Sequence, residues 1–97
     1  MKDKQITLTN KQTRVANLLI LYEKGVNVYD FIKDNEKTLL SIGINTKKIN
    51  SANATLASLA TKGLVDKSKV AYNDKMITNY KANQKLIDLL KSLKENN

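Results

Sequence analysis

The stretch that decides the fold runs from residue 45 to residue 65 and reads Asn-Thr-Lys-Lys-Ile-Asn-Ser-Ala-Asn-Ala-Thr-Leu-Ala-Ser-Leu-Ala-Thr-Lys-Gly-Leu-Val. Apolar residues recur in it at intervals of three and four, which places them on one stripe of an α-helix. They are Ile49, Ala52, Leu56, Leu59 and Ala60. We therefore expect an amphipathic helix over residues 46–62 that packs this stripe into a core.

The start of this helix has two interpretations. Asn45 or Thr46 can cap a helix that begins early, and Ser51 can cap one that begins later. The apolar phase favours the early start, because Ile49 lies seven residues before Leu56 and so falls on the same face. With the later start, residues 46–49 belong to the preceding turn.

The opposite side of the same helix is short or polar apart from one lysine, and such a face permits close contact with a partner. Its members are Lys47, Asn50, Ser51, Ala54, Ser58 and Thr61. Asn53 lies nearer the apolar stripe, so a structural hydrogen bond is the alternative to a surface role for its amide.

Two helices are predicted upstream. Thr9 and Gln12 have the spacing of a capping box that starts a helix, and Gly25 can end that helix. We place it at residues 10–24. Asn27 repeats the N-terminal signal for a second helix. A polar interruption at residues 34–37 leaves open whether residues 28–42 form one helix or two short ones.

Downstream, β-branched and aromatic residues mixed with polar ones predict strands at residues 64–72 and 76–80, joined by a turn at residues 73–75. Asn83 is a plausible cap for a last, leucine-rich helix. We expect a lead-in at residues 1–9, a single domain at residues 10–94 and a frayed tail at residues 95–97.

Composition argues against an enzyme. The chain has 97 residues, no histidine and no cysteine, so imidazole or thiolate metal sites and the common nucleophilic triads are excluded. The nine carboxylates are scattered and mostly lie beside lysines. We expect no cofactor, no metal site and no catalytic residue.

The apolar patterns argue against a membrane protein as well. The longest apolar run, residues 18–22, is far shorter than the roughly 18 residues that span a bilayer. No secretory signal is recognisable at the N-terminus, and we expect a cytoplasmic protein.

The net charge of +8 is concentrated in the middle of the chain. Residues 44–81 hold seven lysines against two aspartates. Lysines placed near phosphates release condensed counterions, which favours a polyanionic partner. A coding bias towards lysine, asparagine and isoleucine is the alternative explanation for this charge.

The order of three helices, a hairpin and a further helix resembles the winged helix-turn-helix regulators of bacteria and phages, in particular MarR-like ones. Residues 59–65, Leu-Ala-Thr-Lys-Gly-Leu-Val, match the family's end of the third helix. Residues 80–83, Tyr-Lys-Ala-Asn, are a weakened form of its step into the next helix. The resemblance implies an α+β, mainly α fold with three helices, a two-stranded wing and a C-terminal helix. It does not extend to the terminal helices that build the dimer and ligand pocket of full-length MarR-like repressors.

The resemblance also implies a transcription regulator that binds double-stranded DNA. The residues expected to read bases in the major groove are Lys47, Asn50, Ser51, Ala54, Thr55 and Ser58. Those expected to contact the DNA backbone are Arg14, Lys48, Lys62, Lys67, Lys69 and Lys75. For Arg14 a solvated surface position is the alternative.

Other functions and partners stay open at the level of sequence. A winged helix can also be an adaptor for an acidic protein such as RNA polymerase, and non-specific or RNA binding is a third interpretation. The last helix either packs on the first or pairs with a second copy to form a homodimer. Three of the tyrosines, Tyr22, Tyr29 and Tyr72, are expected to serve packing rather than base stacking.

Overall fold

A computed structural model describes residues 6–95, with the side chain of Glu95 excluded. Within this range the helices are α1 (Asn10–Leu19), α2 (Val28–Ser41), α3 (Ile49–Thr61) and α4 (Gln84–Glu95). The strands are β1 (Val26–Asn27), β2 (Val65–Tyr72) and β3 (Lys75–Ala82). The described residues thus form an α+β fold of four helices and one antiparallel sheet, in the predicted order apart from the added strand β1.

Helix α1 begins as predicted and ends earlier than predicted. The capping box is complete, because the Gln12 amide donates to the Thr9 hydroxyl oxygen at 3.0 Å and the Thr9 amide donates to Gln12 Oε1 at 3.0 Å. The helix ends at Leu19 rather than at residue 24. Residues 20–25 form tight turns instead, in which Tyr22 donates to the Leu19 carbonyl and Gly25 to the Tyr22 carbonyl. These turns bring the chain to the start of β1.

The predicted two-stranded hairpin is part of a three-stranded sheet with the order β1-β3-β2. Val26 pairs with Tyr80, and Asn27 pairs with Asn79. Two residues are too few to show an alternating pattern, so the sequence offers no period by which to detect β1. The pairing makes β3 the central strand.

Helix α2 combines the two alternatives left open by the sequence. It starts after Asn27, whose side-chain oxygen accepts from the Asp30 amide at 2.9 Å, as predicted for a cap. It runs to Ser41 as one helix, but Asn35 has non-helical φ and ψ angles of −125° and 24°. The Asn35 side chain donates from Nδ2 to the Phe31 carbonyl at 2.8 Å. The polar interruption is therefore a kink within a single helix.

The start of α3 differs from both predictions. The helix begins at Ile49, and its N-cap residue, Lys48, makes no capping hydrogen bond with its side chain. Asn45 Oδ1 accepts from the Lys47 amide at 2.9 Å, which keeps residues 45–47 in a turn. The Thr46 hydroxyl donates to Glu36 at 3.4 Å, so Thr46 is not the cap. Ser51 lies in the first turn of the helix, so it is not the cap either.

Helices α2 and α3 end in the same way. A glycine at positive φ follows each, and the next residue donates back into the helix: Ile44 to the Leu39 carbonyl at 2.9 Å, and Leu64 to the Leu59 carbonyl at 3.1 Å. The donating residue is fully buried in both cases. This helix ending combines a left-handed residue with an apolar contact, and it brings the chain directly back into the core.

The hairpin is longer than predicted and its turn is shorter. Strands β2 and β3 pair from Val65 with Ala82 to Tyr72 with Lys75, so Lys75 belongs to the strand. Asn73 and Asp74 form the two-residue turn at positive φ angles of 48° and 67°, as a type I′ hairpin requires. After β3, Asn83 Oδ1 accepts from the Leu86 amide at 3.2 Å, which confirms the predicted cap of α4.

The core lies between the helices and the sheet. Its largest fully buried side chains include Phe31, Leu39, Leu56, Leu59 and Leu86. Within residues 6–95 no buried side-chain nitrogen or oxygen lacks a hydrogen-bond partner, and no helix is long and apolar enough to cross a bilayer. Residues 1–5 of the predicted lead-in lie outside the described range. So does the predicted frayed tail at residues 95–97, except for the backbone of residue 95.

Two glycines with similar backbone angles should respond differently to alanine. Gly25 (φ +86°) lies so close to β3 that an added Cβ would be 2.8 Å from the Tyr80 carbonyl oxygen, whereas one added at Gly63 (φ +80°) would have no neighbour within 4 Å. We expect Gly63→Ala to lower the free energy of unfolding by about 1 kcal/mol through backbone strain. We expect Gly25→Ala to lower it by about 2 to 4 kcal/mol, because overpacking adds to the strain. Urea unfolding of both variants measures the difference, and equal losses would contradict the close approach at Gly25.

Candidate nucleic-acid interface

Helix α3 presents one line of small residues to solvent. Asn50, Ala54 and Thr61 are exposed and Ala57 is half-buried. Their spacing of four, three and four residues keeps them within a sector of about 60° on the helix surface. We call these four residues the outward line.

The outward line is rotated by about 40° from the face predicted by the sequence, at 100° per residue. The buried residues of α3 are Ala52, Thr55, Leu56 and Leu59. The prediction that Thr55 reads bases is therefore wrong. Thr55 is only 9% exposed, and its hydroxyl donates to the Ser51 carbonyl at 3.1 Å. That bond satisfies the hydroxyl of a threonine in the core, whereas Ile49, which the sequence pattern assigned to the core, is only half-buried.

Ser58, another predicted base reader, is committed to contacts inside the protein. Its hydroxyl accepts from Gln12 Nε2 at 2.9 Å and donates to the Thr55 carbonyl at 2.7 Å. Helix α1 therefore covers this flank of α3. Sequence reasoning missed this contact, since nothing in a capping residue such as Gln12 indicates a bond 46 positions away.

The other flank of α3 is tied to the sheet. The Tyr80 hydroxyl donates to Asn53 Oδ1 at 2.7 Å, and Tyr80 is almost fully buried. The structural hydrogen bond considered for Asn53 is confirmed. Because Tyr80 lies on the central strand, the bond fixes α3 against the strand that also carries the wing.

The wing lysines divide between the two faces of the hairpin. Lys67 pairs with Tyr80 and Lys69 with Thr78, and cross-strand partners share a sheet face. Lys67 and Lys69 therefore project from the face that Tyr80 turns towards α3, and both are exposed. Lys75 pairs with Tyr72, an odd number of residues away from Tyr80, and so lies on the opposite face. The structure thus brings two of the three wing lysines to the side of α3.

An aromatic stack supports the tip of the wing. Tyr29 at the start of α2 stacks on Tyr72 near the end of β2, with ring centroids 5.1 Å apart and planes inclined by 9°. Tyr22 contacts Phe31 with centroids 6.1 Å apart and donates to Asp34 at 2.9 Å. All three tyrosines thus make packing contacts, as predicted. The stack holds the hairpin in place relative to α2.

The remaining basic residues flank α3 or lie away from it. Lys47 and Lys48 are exposed in the turn before the helix, and Lys62 is exposed directly after it. Arg14 is exposed on α1, about 200° round the helix from Gln12, the residue that contacts α3. The structure does not bring Arg14 to the surface formed by the outward line and the wing.

Ala57 and Thr61 complete the outward line and were not among the predicted base readers. The sequence had already placed Thr61 on the polar face of the helix, and Ala57 could have been found by helical arithmetic, since it lies seven residues after Asn50. The predicted outward face was rotated from the observed one because the sequence pattern assigned Ile49 and Ala60 to the core, whereas both are half-buried in the structure.

Comparison with known proteins supports the fold. The chain is similar to the crystal structure of a PadR family transcription regulator from hypervirulent Clostridium difficile R20291, with a TM-score of 0.61, 15% identity, and coverage of 87% of this chain and 84% of that chain. No protein-family model matches the sequence, and no curated protein matches it either. The likeness confirms a winged-helix fold. The comparison does not test the MarR-like group named from the sequence, which stays a prediction.

The buried phenol that anchors α3 should make stability depend on alkaline pH. Burial raises the pKa of Tyr80 above its ordinary value of 10.0. Above pH 10 the unfolded chain therefore loses this proton before the folded protein does, and the free energy of unfolding falls as pH rises. We expect Tyr80→Phe to show a shallower fall than the wild type between pH 9 and 11, measured by urea unfolding at each pH.

Asn53→Ala is the matched control for this experiment. It removes the same hydrogen bond but leaves the phenol buried without a partner, so we expect a stability loss of about 1 to 3 kcal/mol at neutral pH and an alkaline slope like that of the wild type. An unchanged slope in Tyr80→Phe would show that this phenol does not contribute to the alkaline loss.

Proposed function

We propose that this protein is a transcription regulator that binds double-stranded DNA with α3 in the major groove and the wing on the backbone. The observation that carries the proposal is the pairing of two surfaces on one side of the molecule. The outward line of α3 is free of bulky side chains, and Lys67 and Lys69 project from the sheet face turned towards the same helix. A helix that approaches bases closely and cations that reach the adjacent phosphates are the two parts such a complex needs.

The lysines around α3 would position the protein rather than specify a sequence. Lys47 and Lys48 precede the helix, Lys62 follows it, and all three are exposed. A base-reading helix lies along the groove between two phosphate strands, so cations at its ends and on the wing would neutralise phosphates on either side. Arg14 has no part in this proposal, because it lies on the other side of α1.

The same cationic surface would also suit an acidic protein such as RNA polymerase. The uncharged outward line between the lysines favours DNA, since close approach to base edges uses small side chains, whereas an acidic protein surface would gain from more cations. Within the winged-helix regulators, residues 59–65 support a MarR-like or phage-type relative, and the structural likeness supports a PadR relative.

Pairing through α4 is a further part of the proposal. Leu86 and Leu90 of this helix are buried in the core, while Leu93 remains 39% exposed. Leu93 lines an open groove of about 720 Å³ together with Leu8 and Leu89. If a second copy of the chain covers this groove, analytical sedimentation at increasing protein concentration should show a dimer. Leu93→Glu should then abolish that dimer.

The DNA proposal predicts steep salt dependence that individual wing lysines help to set. We expect the association constant for duplex DNA to fall sharply between 50 and 200 mM salt. In a plot of its logarithm against the logarithm of the salt concentration, each neutralised phosphate should contribute roughly −0.9 to the slope. Lys67→Ala and Lys69→Ala should each weaken binding to all sequences alike and make this negative slope shallower by about 1. Fluorescence anisotropy with labelled duplexes measures both quantities.

Lys91→Ala provides the matched control, because it removes an exposed lysine on α4, outside the proposed interface. It should leave the slope unchanged. Absence of binding to any duplex at low salt would refute the proposal. Capture of a protein from cell extract that survives nuclease treatment would instead support the adaptor.

A further inference from the structure

Three polar side chains on the flanks of α3, those of Asn53, Thr55 and Ser58, are already committed within the protein. Asn53 accepts from the Tyr80 hydroxyl, and Ser58 bonds both Gln12 and the Thr55 carbonyl. Thr55 is buried. These bonds leave the flanks with few free groups for hydrogen bonding to a ligand, so the chemistry available to DNA lies mainly on the outward line.

The outward line offers one amide and three methyl groups. Asn50 is exposed and has a side chain with both a donor and an acceptor. Ala54 and Ala57 end in methyl groups. The Thr61 hydroxyl donates to the Ala57 carbonyl at 3.1 Å, which commits its hydrogen and leaves the methyl and the acceptor lone pairs of the oxygen. Between Ile49 and Thr61 the helix has no lysine, arginine, glutamine, aspartate or glutamate.

Base edges in the major groove differ in what they demand from such a surface. Guanine is read chiefly by arginine or lysine, and cytosine by a carboxylate. Adenine pairs with the amide of asparagine, and thymine has a C5-methyl group that contacts alanine or the threonine methyl. The outward line therefore contains the groups that suit adenine and thymine best, and it lacks the charged side chains that read guanine and cytosine.

We propose that α3 reads A·T base pairs, with Asn50 on an adenine and the methyl groups of Ala54 and Ala57 against thymine methyls. This inference rests on the proposed function, because it names the class of sequence that the same surface would select. The lysines in the turns at either end of the helix can reach guanine only at the margins of the contacted segment. The central base pairs under the outward line are A·T.

Selection from a random duplex library, followed by sequencing, is the first test. We expect the enriched motif to have A·T pairs at the positions that the bound protein protects most strongly from cleavage. A motif with G·C pairs at those positions would overturn the inference while leaving DNA binding intact. Failure to enrich or bind any duplex would overturn the proposed function and this inference with it.

Single-atom changes in the selected duplex provide the sharper test. Replacing one thymine at a time by uracil removes only the C5-methyl, and at one or two positions we expect affinity to fall about fourfold, the equivalent of one buried methyl group. Either Ala54→Ser or Ala57→Ser should remove this sensitivity at its own position. Replacing an adenine by 7-deazaadenine removes the N7 acceptor, and we expect a loss of about fivefold or more that Asn50→Ala does not show.

Lys69→Ala is the control for these measurements. Because Lys69 lies on the wing, its loss should lower affinity for the thymine and uracil duplexes by the same factor and leave their ratio at the wild-type value. If uracil substitution has no effect at any position, or if both Ala54→Ser and Ala57→Ser keep the wild-type ratio of thymine-duplex to uracil-duplex affinity, the assignment of the methyl contacts is overturned.

Discussion

The hydrogen bond of 2.7 Å between the Tyr80 hydroxyl and Asn53 sets the relation between the helix and the wing. Tyr80 lies on β3, the strand that pairs with both others, so whatever fixes its side chain fixes the sheet. A buried phenol without a partner would cost about 1 to 3 kcal/mol, which makes this bond costly to break. The position of α3 relative to the wing is therefore part of the folded core rather than a property of a loop.

A second bond, from Gln12 to Ser58, holds the opposite flank of the same helix. With both flanks attached, α3 cannot roll about its axis without losing a hydrogen bond, and the outward line keeps one orientation. The Tyr29–Tyr72 stack adds a similar restraint at the far end of the hairpin. The proposed interface is thus preorganised, so that little conformational entropy would be lost when it meets a partner.

The sequence predicted those parts of the fold that depend on local patterns. The capping residues Thr9, Asn27 and Asn83 act as expected, because a cap bonds within three residues and its signal is local. Features set by distant contacts were missed. Strand β1 forms because it pairs with residues of β3 that lie 52 and 54 positions later, and α1 ends early enough for the chain to reach that strand. The candidate site shows the same division. Its helix was found from apolar spacing, but its face was misplaced, since the burial of Thr55 depends on packing that no local pattern records.

The short strand β1 also constrains the order in which the protein is made. Val26 and Asn27 have their partners at Tyr80 and Asn79, so the strand has nothing to pair with until β3 has left the ribosome. At about 5 to 20 residues per second, that delay is roughly 3 to 10 s, far longer than helix formation takes. The helices α1, α2 and α3 emerge first, and the sheet closes over them only after β3 has followed. The two-residue strand β1 therefore makes completion of the sheet wait for the synthesis of β3.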